Sequence, residues 1–378
     1  MMVPFLDLKA AYLELKEGID AAVDRVLSGG VYVGGEEVEA FESDWADYCG
    51  VRNAIGVGNG LDAISLALRA LGVGPGDQVI VPSNTYIATW LAVINIGADP
   101  IPVEPDPQMH NIDIRLIEDA ITPQTKVILP VHLYGRPVDL DPILALAKKY
   151  SLYVLEDAAQ AHGASYKGKR IGAHGHIVAW SFYPTKNLGA VGDAGAITTD
   201  NDELAEKVRL LRNYGSREKY LNEVQGFNSR LDPIQAAILR VKLKKLNDWN
   251  MRRIRIAEFY RSELNSVVSE SGRPLDFFTL PTSGLDSSAV WHLFVITCQS
   301  RNKLFTHLRE SGVEVMMHYP ICPNRQDAFK GHQSSKLDLP IAHSLSERVI
   351  SLPIGPHLPL DSAARVVETL KKFHESTR

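Results

Sequence analysis

The 378-residue sequence has few cysteines and no long apolar run. Its three cysteines, Cys49, Cys298 and Cys322, are far apart and form no CxxC or zinc pattern, which argues against a disulfide framework and favours a reducing cytoplasm. No run of about eighteen apolar residues occurs, and acidic residues interrupt the N-terminal segment where a signal peptide would be continuously apolar. We therefore expect a soluble cytoplasmic protein that is neither exported nor bound to a membrane.

Basic runs, internal repeats and low-complexity segments are also absent from the sequence. A net charge of -5 without any run of about five basic residues argues against a nucleic-acid partner. With 45% hydrophobic and 22% charged residues, a chain of this length can bury a large core and divides into about two domains.

Short apolar runs alternate with helical stretches from Ala54 onward. This alternation predicts a mostly parallel sheet covered on both faces, whose ligands bind beyond the carboxyl ends of the strands. The expected strands are AIGVGNG, QVIVPS, PIPVEP, KVILPVHLYG, LYVLEDA and GAITTD. The expected helices between them include LDAISLALRAL, TYIATWLAVINIG, IRLIEDAI and DPILALAKKY.

A polar, turn-rich excursion over residues 215–231 separates this region from a long helical stretch that begins at Pro233 and runs to about Leu264. Proline is favoured in the first helical turn. Beyond this stretch, WHLFVITC and VEVMMHYP read as antiparallel strands around a helix, which is typical of a smaller α+β domain.

One lysine, Lys186, lies among apolar, aromatic and glycine residues in SFYPTKNLGAVGD. Desolvation in such a setting lowers the pKa of a lysine, so that it can act as a neutral amine. The alternative is an ordinary surface lysine in a glycine-rich loop.

Glycines precede the predicted helix in VGNGLDAISLALRAL. Free backbone N–H groups and the helix dipole attract phosphate at such a start. The alternative is a plain helix cap made by Asn59. The glycine pairs of SGGVYVGGEE follow no GxGxxG or Walker arrangement and are interpreted as a connector.

Asp157 should lie at the carboxyl end of the strand LYVLED, where a carboxylate can keep a proton on a heterocyclic nitrogen. It could instead cap the next helix. Glu156 and Asp157 are unlikely partners in acid–base catalysis, since adjacent strand residues point to opposite faces. Three nearby histidines (His162, His174, His176) match no metal spacing, and we predict no metal site.

The order of these features favours one cofactor. A phosphate-binding helix start, the aromatic Tyr86, the strand-end Asp157, and then Ser181 and Lys186 are what a pyridoxal phosphate site requires. The lysine forms the Schiff base, the aspartate keeps the pyridine protonated, and the aromatic ring stacks on it.

The sequence also resembles the DegT/StrS sugar aminotransferases, which are fold-type I pyridoxal phosphate enzymes. The resemblance runs nearly end to end, through VPFLDL, GNGLDAI, VPSNTYIATWLAV, HLYGRPVDLDPI, VLEDAAQAHGA, SFYPTKNLGAVGDAGAI, RNYGSREKY, GFNSRLDPIQAAIL and MMHYP. It implies a seven-stranded, mostly parallel sheet in a large αβα domain (residues 1–245) and a smaller α+β domain (residues 246–378).

The resemblance assigns cofactor roles to matching positions. Lys186 would be the Schiff-base lysine and general acid/base, and Asp157 would pair with the pyridinium nitrogen. The other cofactor contacts are Gln160 at the 3-hydroxyl, Tyr86 on the ring, and the N–H groups of Gly60 and Leu61 with the Ser181 hydroxyl at the phosphate. Asn228 resembles a residue that reaches the phosphate from the neighbouring subunit, which implies a homodimer with shared active sites.

Substrate roles follow from the same resemblance. Tyr183, Arg230, His318 and Tyr319 lie in motifs that are near the sugar or nucleotide in relatives, which implies substrate contacts here. After MMHYP the sequence reads ICPNRQDAFK, where relatives often carry a second proline and a histidine. Some family members replace the lysine by histidine and act as dehydratases; Lys186 argues against that reaction here.

The implied activity is transamination, with L-glutamate or glutamine as donor and a nucleotide-linked ketosugar as acceptor. The branch that aminates C3 of dTDP-linked 3-keto-6-deoxyhexoses is the most similar. The alternatives are a 4-ketosugar aminotransferase, an amino acid lyase or desulfurase, and a non-catalytic regulatory protein with the same fold. A desulfurase needs a reactive cysteine in a mobile glycine-rich loop, and none of the three cysteines lies in one.

Overall fold

The structure is a computed structural model that describes residues 2–172, 174–270, 278–282, 284 and 287–376. Its helices, in chain order, are α1 (Leu8–Glu14), α2 (Lys16–Gly29), α3 (Glu36–Cys49), α4 (Gly60–Ala70), α5 (Ile87–Asn95), α6 (Leu140–Tyr150), α7 (Asp202–Leu211), α8 (Pro233–Leu243), α9 (Leu246–Glu270), α10 (Arg301–Glu310), α11 (Pro340–Arg348) and α12 (Leu360–Ser376).

The strands of the described residues form one large sheet and three small ones. In chain order they are β1 (Asn53–Val57), β2 (Gln78–Pro82), β3 (Asp99–Val103), β4 (Thr125–Ile128), β5 (Tyr153–Asp157), β6 (Ser165–Tyr166), β7 (Lys169–Arg170), β8 (Ile177–Ser181), β9 (Gly195–Thr199), β10 (Ser216–Glu218), β11 (Leu221–Asn222), β12 (Phe278–Thr279), β13 (Ser287–Ser288), β14 (Phe294–Cys298) and β15 (Val349–Leu352).

The large sheet has seven strands in the order β1-β9-β8-β5-β4-β2-β3. Only β9 runs against its neighbours, with antiparallel pairing to β1 and β8, while the other pairs are parallel. The predicted mostly parallel seven-stranded sheet is therefore confirmed.

Helices cover both faces of this sheet, as its continuously apolar strands require. On one face α3, α6 and α8 contribute to a cluster that includes Trp45 and Trp180. On the other face α4, α5 and α7 pack around residues such as Ile55 and Trp90. The crossovers bring the carboxyl ends of β1, β2, β4, β5 and β8 to the same edge of the sheet.

A third apolar cluster surrounds the small antiparallel sheet β12-β14-β15 and is closed by α9, α10 and α12. This confirms the smaller α+β unit. The predicted division at residues 245 and 246 falls in the break between α8 and α9 and stays a prediction; residues 271–277 of the second domain lie outside the described residues. The single helix expected from Pro233 to Leu264 is two helices, α8 and α9.

Two predicted elements were wrong. IRLIEDAI forms two 3-10 turns, Ile114–Leu116 and Glu118–Ala120, because Asp113 binds both the backbone and the side chain of Arg115 and a proline follows shortly afterwards. VEVMMHYP, predicted as a strand, forms only isolated β-bridges, which pair Val313 with Val3 and Met316 with Ser351. Among the described helices, none has both the length and the apolar composition to cross a membrane.

Candidate active site

The loop after β8 carries Lys186 to the shared edge of the sheet. The Lys186 N–H donates to the Tyr183 carbonyl at 2.8 Å, which closes a tight turn. A Cβ at Gly189 would lie 2.3 Å from the Pro184 carbonyl oxygen, so the loop requires glycine there. Lys186 as a whole is partly exposed, but protein surrounds its amine. Desolvation lowers the pKa of the amine to about 8, although the negative charge of Asp157 acts to raise it.

Asp157 ends β5 and is buried. Its Oδ1 accepts the Ala159 N–H at 3.1 Å, and its Oδ2 accepts the Thr89 hydroxyl at 3.0 Å. Burial raises the pKa of Asp157, while these two hydrogen bonds and the positive charge of Lys186 oppose the rise. The carboxylate is thus held in a fixed plane close to the lysine.

The neighbouring carboxylate serves another purpose. Glu156 is fully buried on the opposite face of β5, where its Oε2 lies 2.9 Å from His132 Nε2 and its Oε1 accepts the Gly175 N–H. His132 Nδ1 accepts the Val138 N–H, so its Nε2 carries a proton and donates it to Glu156. The two acids do not share a site, as strand geometry predicted.

Gln160 and Tyr319 join the wall of the site. Gln160 Oε1 accepts the Tyr134 N–H at 2.6 Å, and its Nε2 donates to the Tyr319 hydroxyl at 3.0 Å. The Tyr319 ring lies 5.3 Å from the ring of Tyr86, which is 55% exposed at the start of α5. An aromatic face is therefore available above the edge of the sheet.

The start of α4 is capped by Asn59 and has further N–H groups without helical acceptors. Asn59 Oδ1 accepts the Asp62 N–H at 2.9 Å, so the sequence alternative of a capping Asn59 is correct. The first-turn N–H groups of Gly60 and Leu61 have no acceptor within the helix. A Cβ at Gly60 would lie 2.5 Å from Ser181 Cβ, so the helix start and the end of β8 meet only because residue 60 is glycine.

The predicted substrate residues have different settings. His318 Nδ1 contacts the Ser351 hydroxyl at 2.8 Å, and burial together with the charge of Lys186 lowers the pKa of His318 to about 4. Tyr183 is 52% exposed beside the lysine loop. Arg230 instead donates to Asn213 Oδ1 at 3.0 Å and lies over the Tyr214 ring.

Asn228 is exposed and forms an isolated β-bridge with Asn213. Among the described residues, no hydrogen bond joins Asn228 to Lys186 or Asp157. The adjacent Ser229 binds this chain's own α4, because its hydroxyl accepts the Gly58 N–H and donates to Asp62. The excursion therefore packs against the start of α4, while Asn228 remains exposed to solvent.

The three histidines between residues 162 and 176 have different surroundings. His162 lies among the rings of Trp45, Trp180 and Phe182. His174 contacts the Tyr166 carbonyl, and His176 accepts the Val154 N–H. Within the described part of the chain, no three metal-ligating side chains come together.

Sequence reasoning missed four residues of the site: Thr89, Tyr134, Asn187 and His292. Thr89 lies one helical turn after Tyr86, and Asn187 follows Lys186, so their positions in the motifs were available signals. His292 Nδ1 contacts Asn187 Oδ1 at 3.2 Å, across 105 positions of the chain, and no local pattern predicts that pairing.

The sequence is similar to those of known proteins over nearly its full length. Residues 14–371 match the DegT/DnrJ/EryC1/StrS aminotransferase family. The chain is 51% identical, over 98% of its length and 99% of the relative, to the erythromycin biosynthesis sensory transduction protein EryC1 of Saccharopolyspora erythraea. It is 50% identical to the dTDP-3-amino-3,4,6-trideoxy-alpha-D-glucose transaminase of Streptomyces venezuelae, over 99% and 96% of the two chains.

Solved structures of similar proteins have the same fold. The S. venezuelae DesV structure in complex with a ketimine intermediate superposes with a TM-score of 0.94 at 50% identity, covering 98% of each chain. Bacillus subtilis NtdA with bound cofactor PMP superposes with a TM-score of 0.92 at 36% identity, covering 100% of this chain and 86% of NtdA.

Proposed function

Because this chain belongs to the DegT/DnrJ/EryC1/StrS aminotransferase family, we propose that it transfers an amino group from L-glutamate to C3 of a dTDP-linked 3-keto-6-deoxyhexose. The observation that carries the proposal is the desolvated amine of Lys186, with a pKa lowered to about 8, beside the buried carboxylate of Asp157. The S. venezuelae transaminase named for a dTDP-3-amino sugar supports the choice of C3.

The site fits pyridoxal phosphate, the cofactor of this family. The contact between Gly60 and Ser181 leaves a helix start with free N–H groups next to a hydroxyl, which suits a phosphate. Asp157 offers a buried carboxylate to a ring nitrogen, Gln160 offers an amide to a ring hydroxyl, and Tyr86 offers an aromatic face. The cofactor's phosphate, ring nitrogen, ring hydroxyl and ring face therefore have partners of the right chemistry, and Lys186 offers an amine to its aldehyde.

When bound, pyridoxal phosphate supplies an electron-withdrawing ring that stabilises negative charge on the carbon losing a proton. The amine of Lys186 takes that proton from Cα of glutamate in the first half-reaction and delivers a proton to C3 of the sugar in the second. An ordinary lysine is almost wholly protonated at neutral pH, whereas a pKa of about 8 makes the base available.

Asp157 keeps the proton on the ring nitrogen during both half-reactions. Its two oxygens are oriented by Ala159 and Thr89, so the carboxylate does not rotate away. Because the same lysine serves both halves, the first product leaves before the sugar binds, and the kinetics are ping-pong.

The nucleotide sugar enters from the solvent side of Lys186 and Asp157. Tyr183, 52% exposed, is suited to contact it there, and His318 and Tyr319 are further candidates for contacts with the sugar nucleotide. Arg230, of intermediate exposure and without a carboxylate partner among the described residues, suits the nucleotide phosphates. These substrate roles support recognition of an anionic sugar nucleotide.

We further propose that the protein is a homodimer whose active sites are shared. Exposed apolar residues that suit burial between subunits include Val31, Tyr32, Val33, Tyr220, Leu221 and Phe227. Asn228 is exposed next to Phe227, where it can reach the cofactor phosphate of a partner. A two-fold dimer places the same contact at both sites.

All three cysteines are buried and unpaired. This supports our prediction of a reducing cytoplasmic location.

The glutamate half-reaction gives a direct test. Adding L-glutamate to the holoprotein should change its visible absorbance and release 2-oxoglutarate, and Lys186→Ala should release no 2-oxoglutarate. A non-catalytic regulatory protein would show no release of 2-oxoglutarate from the wild type. A 4-ketosugar aminotransferase would pass this step and then aminate C4, while a lyase would consume glutamate without needing a sugar acceptor.

A further inference from the structure

Asn187 directly follows Lys186, is buried, and uses its side-chain amide in three hydrogen bonds. Its Nδ2 donates to Asn250 Oδ1 at 2.9 Å and to the Val290 carbonyl at 3.0 Å. Its Oδ1 lies 3.2 Å from His292 Nδ1. Because the Val290 carbonyl can only accept, the orientation of the amide is fixed and Oδ1 faces the imidazole.

This orientation determines the state of His292. Since Asn187 Oδ1 is an acceptor, His292 Nδ1 carries the proton, and Nε2 is unprotonated in the neutral ring. Burial, the charge of Lys186 and the charge of Arg253 together hold the pKa of His292 well below its ordinary value. His292 is therefore a neutral hydrogen-bond donor to Asn187 at neutral pH.

The segment that carries Val290 and His292 is firmly anchored. The Val290 N–H donates to the Gly135 carbonyl at 2.9 Å. Trp291 has a φ of 47°, in the left-handed region that a tryptophan rarely adopts. The buried guanidinium of Arg253 donates to the carbonyls of Trp291 and His292, at 3.3 Å and 3.2 Å, and holds this turn in place.

The other partner of Asn187 is equally fixed. Asn250 lies on α9 and donates its own Nδ2 to the His162 carbonyl at 2.8 Å. Asn187 thus ties the lysine loop at once to α9 and to the segment before β14, two elements of the second structural unit.

Lys186 has no comparable restraint of its own. Within the described chain, the hydrogen bond of Lys186 is the one from its backbone N–H to Tyr183, and no bond positions its amine. The location of the amine therefore depends on where the backbone at residues 186 and 187 is held.

We propose that Asn187 is the positioning residue of Lys186, and that it acts through its hydrogen bond to His292 and its bonds to Asn250 and Val290. The network holds the lysine backbone against a rigid wall and keeps water from the amine. This inference rests on the proposed role of Lys186, and it assigns positioning roles to two residues, Asn187 and His292, that act on the lysine only through its backbone.

Two substitutions of His292 separate the hydrogen bond from the ring. His292→Phe keeps the aromatic shape but removes the donor, so Asn187 Oδ1 loses its partner and the lysine loop loosens. His292→Asn removes the ring but places an amide N–H where Nδ1 lies, so the bond to Asn187 is retained. Since the imidazole is neutral, neither change alters the charge near Lys186.

The readout is the pKa of the Lys186 amine in the cofactor-free protein, from pH-dependent acylation of the lysine followed by mass spectrometry. Nearby titratable groups are Asp157, His162, His292 and His318. Burial lowers the pKa of His162 to about 3 and of His318 to about 4, so neither imidazole titrates above neutral pH. Asp157 is the same in every variant.

We expect His292→Phe to raise the Lys186 pKa by at least about one unit toward the free-lysine value. The holoenzyme should lose about tenfold in kcat with KM for the ketosugar changed less than about twofold. His292→Asn should stay near wild type in both measurements. Asn187→Ser provides a second loss-of-bond variant, and thermal unfolding checks that each protein is folded.

An unchanged Lys186 pKa in folded His292→Phe and Asn187→Ser would overturn the inference, as would a His292→Asn protein that behaves like His292→Phe. The proposed function fails independently, if the wild type forms no 2-oxoglutarate from glutamate. A shifted lysine pKa in the absence of that activity would leave the positioning role standing and the transaminase role refuted.

Discussion

The hydroxyl of Thr89 lies 3.0 Å from Oδ2 of Asp157 and donates a hydrogen bond to it, with both side chains buried. Thr85 Oγ1 lies 3.0 Å from the same hydroxyl. Because the ionised carboxylate can only accept, Thr89 donates to Asp157 and accepts from Thr85. A short chain of hydroxyls, from Thr85 just before α5 to Thr89 in its first turn, thus orients the Asp157 carboxylate.

Removal of this donor should slow proton transfer. Thr89→Val has nearly the same shape but no hydroxyl, and we expect single-turnover rates with glutamate to fall about tenfold, as for a lost hydrogen bond to a charged group. Thr89→Ser keeps the hydroxyl and should retain most of the rate. Equal rates in the valine and wild-type proteins would show that Thr89 has no role in orienting Asp157.

The contact between Gly60 and Ser181 predicts a specific loss of cofactor affinity. In Gly60→Ala the added Cβ would lie 2.5 Å from Ser181 Cβ, so the helix start must move away from the hydroxyl. Overpacking of this kind costs about 1–3 kcal/mol, and we expect pyridoxal phosphate to bind about 5-fold to 150-fold more weakly.

Gly29→Ala is the matched control. This residue ends α2 and nothing lies within 4 Å of a Cβ placed there. Equilibrium titration of the cofactor should give wild-type affinity for Gly29→Ala. If Gly60→Ala bound pyridoxal phosphate as tightly as the wild type, the cofactor phosphate would not bind between Gly60 and Ser181.

Lys186 should make the stability of the cofactor-free protein depend on pH. Its pKa falls from 10.5 to about 8 on folding because the ammonium is desolvated. The unfolded chain therefore binds more protons between these values, and stability rises as the pH increases from about 8 to 10.5.

Lys186→Met removes this dependence. At pH 7 the variant should be more stable than the wild type by about 2–3 kcal/mol, and the difference should shrink as the pH rises above 8. Lys242, whose pKa burial also lowers to about 8, is present in both proteins and cancels in the comparison. Denaturant unfolding at several pH values measures the difference, and a constant difference would contradict the lowered pKa.

Mixed dimers test whether Asn228 serves the partner's site. Lys186→Ala and Asn228→Ala each impair both sites of their own dimers, but a mixed dimer of the two would contain one site with both native residues. Subunit exchange at equal amounts should then restore about a quarter of wild-type activity. Activity that stays at the average of the two parents would mean that Asn228 acts within its own chain.

The sequence allowed prediction of the parts of the site that are locally encoded. Gly60 lies at a helix start, Asp157 at a strand end and Lys186 in the loop after β8, and at each position a short pattern sets both the backbone and the chemistry. Asn187 and His292 meet only after folding, because 105 positions separate them. The failed helix at residues 114–121 has the opposite cause, since a local Asp113–Arg115 interaction competes with helical periodicity.

The most direct test of the proposed function follows nitrogen from donor to sugar. The holoenzyme is incubated with 15N-labelled L-glutamate and a dTDP-linked 3-keto-6-deoxyhexose, and the product is examined by NMR. The proposal predicts 15N bonded to C3 of the sugar nucleotide, and no labelled product with Lys186→Ala. Label at C4 from a 4-ketosugar alone, or labelled sugar formed by the alanine variant, would contradict it.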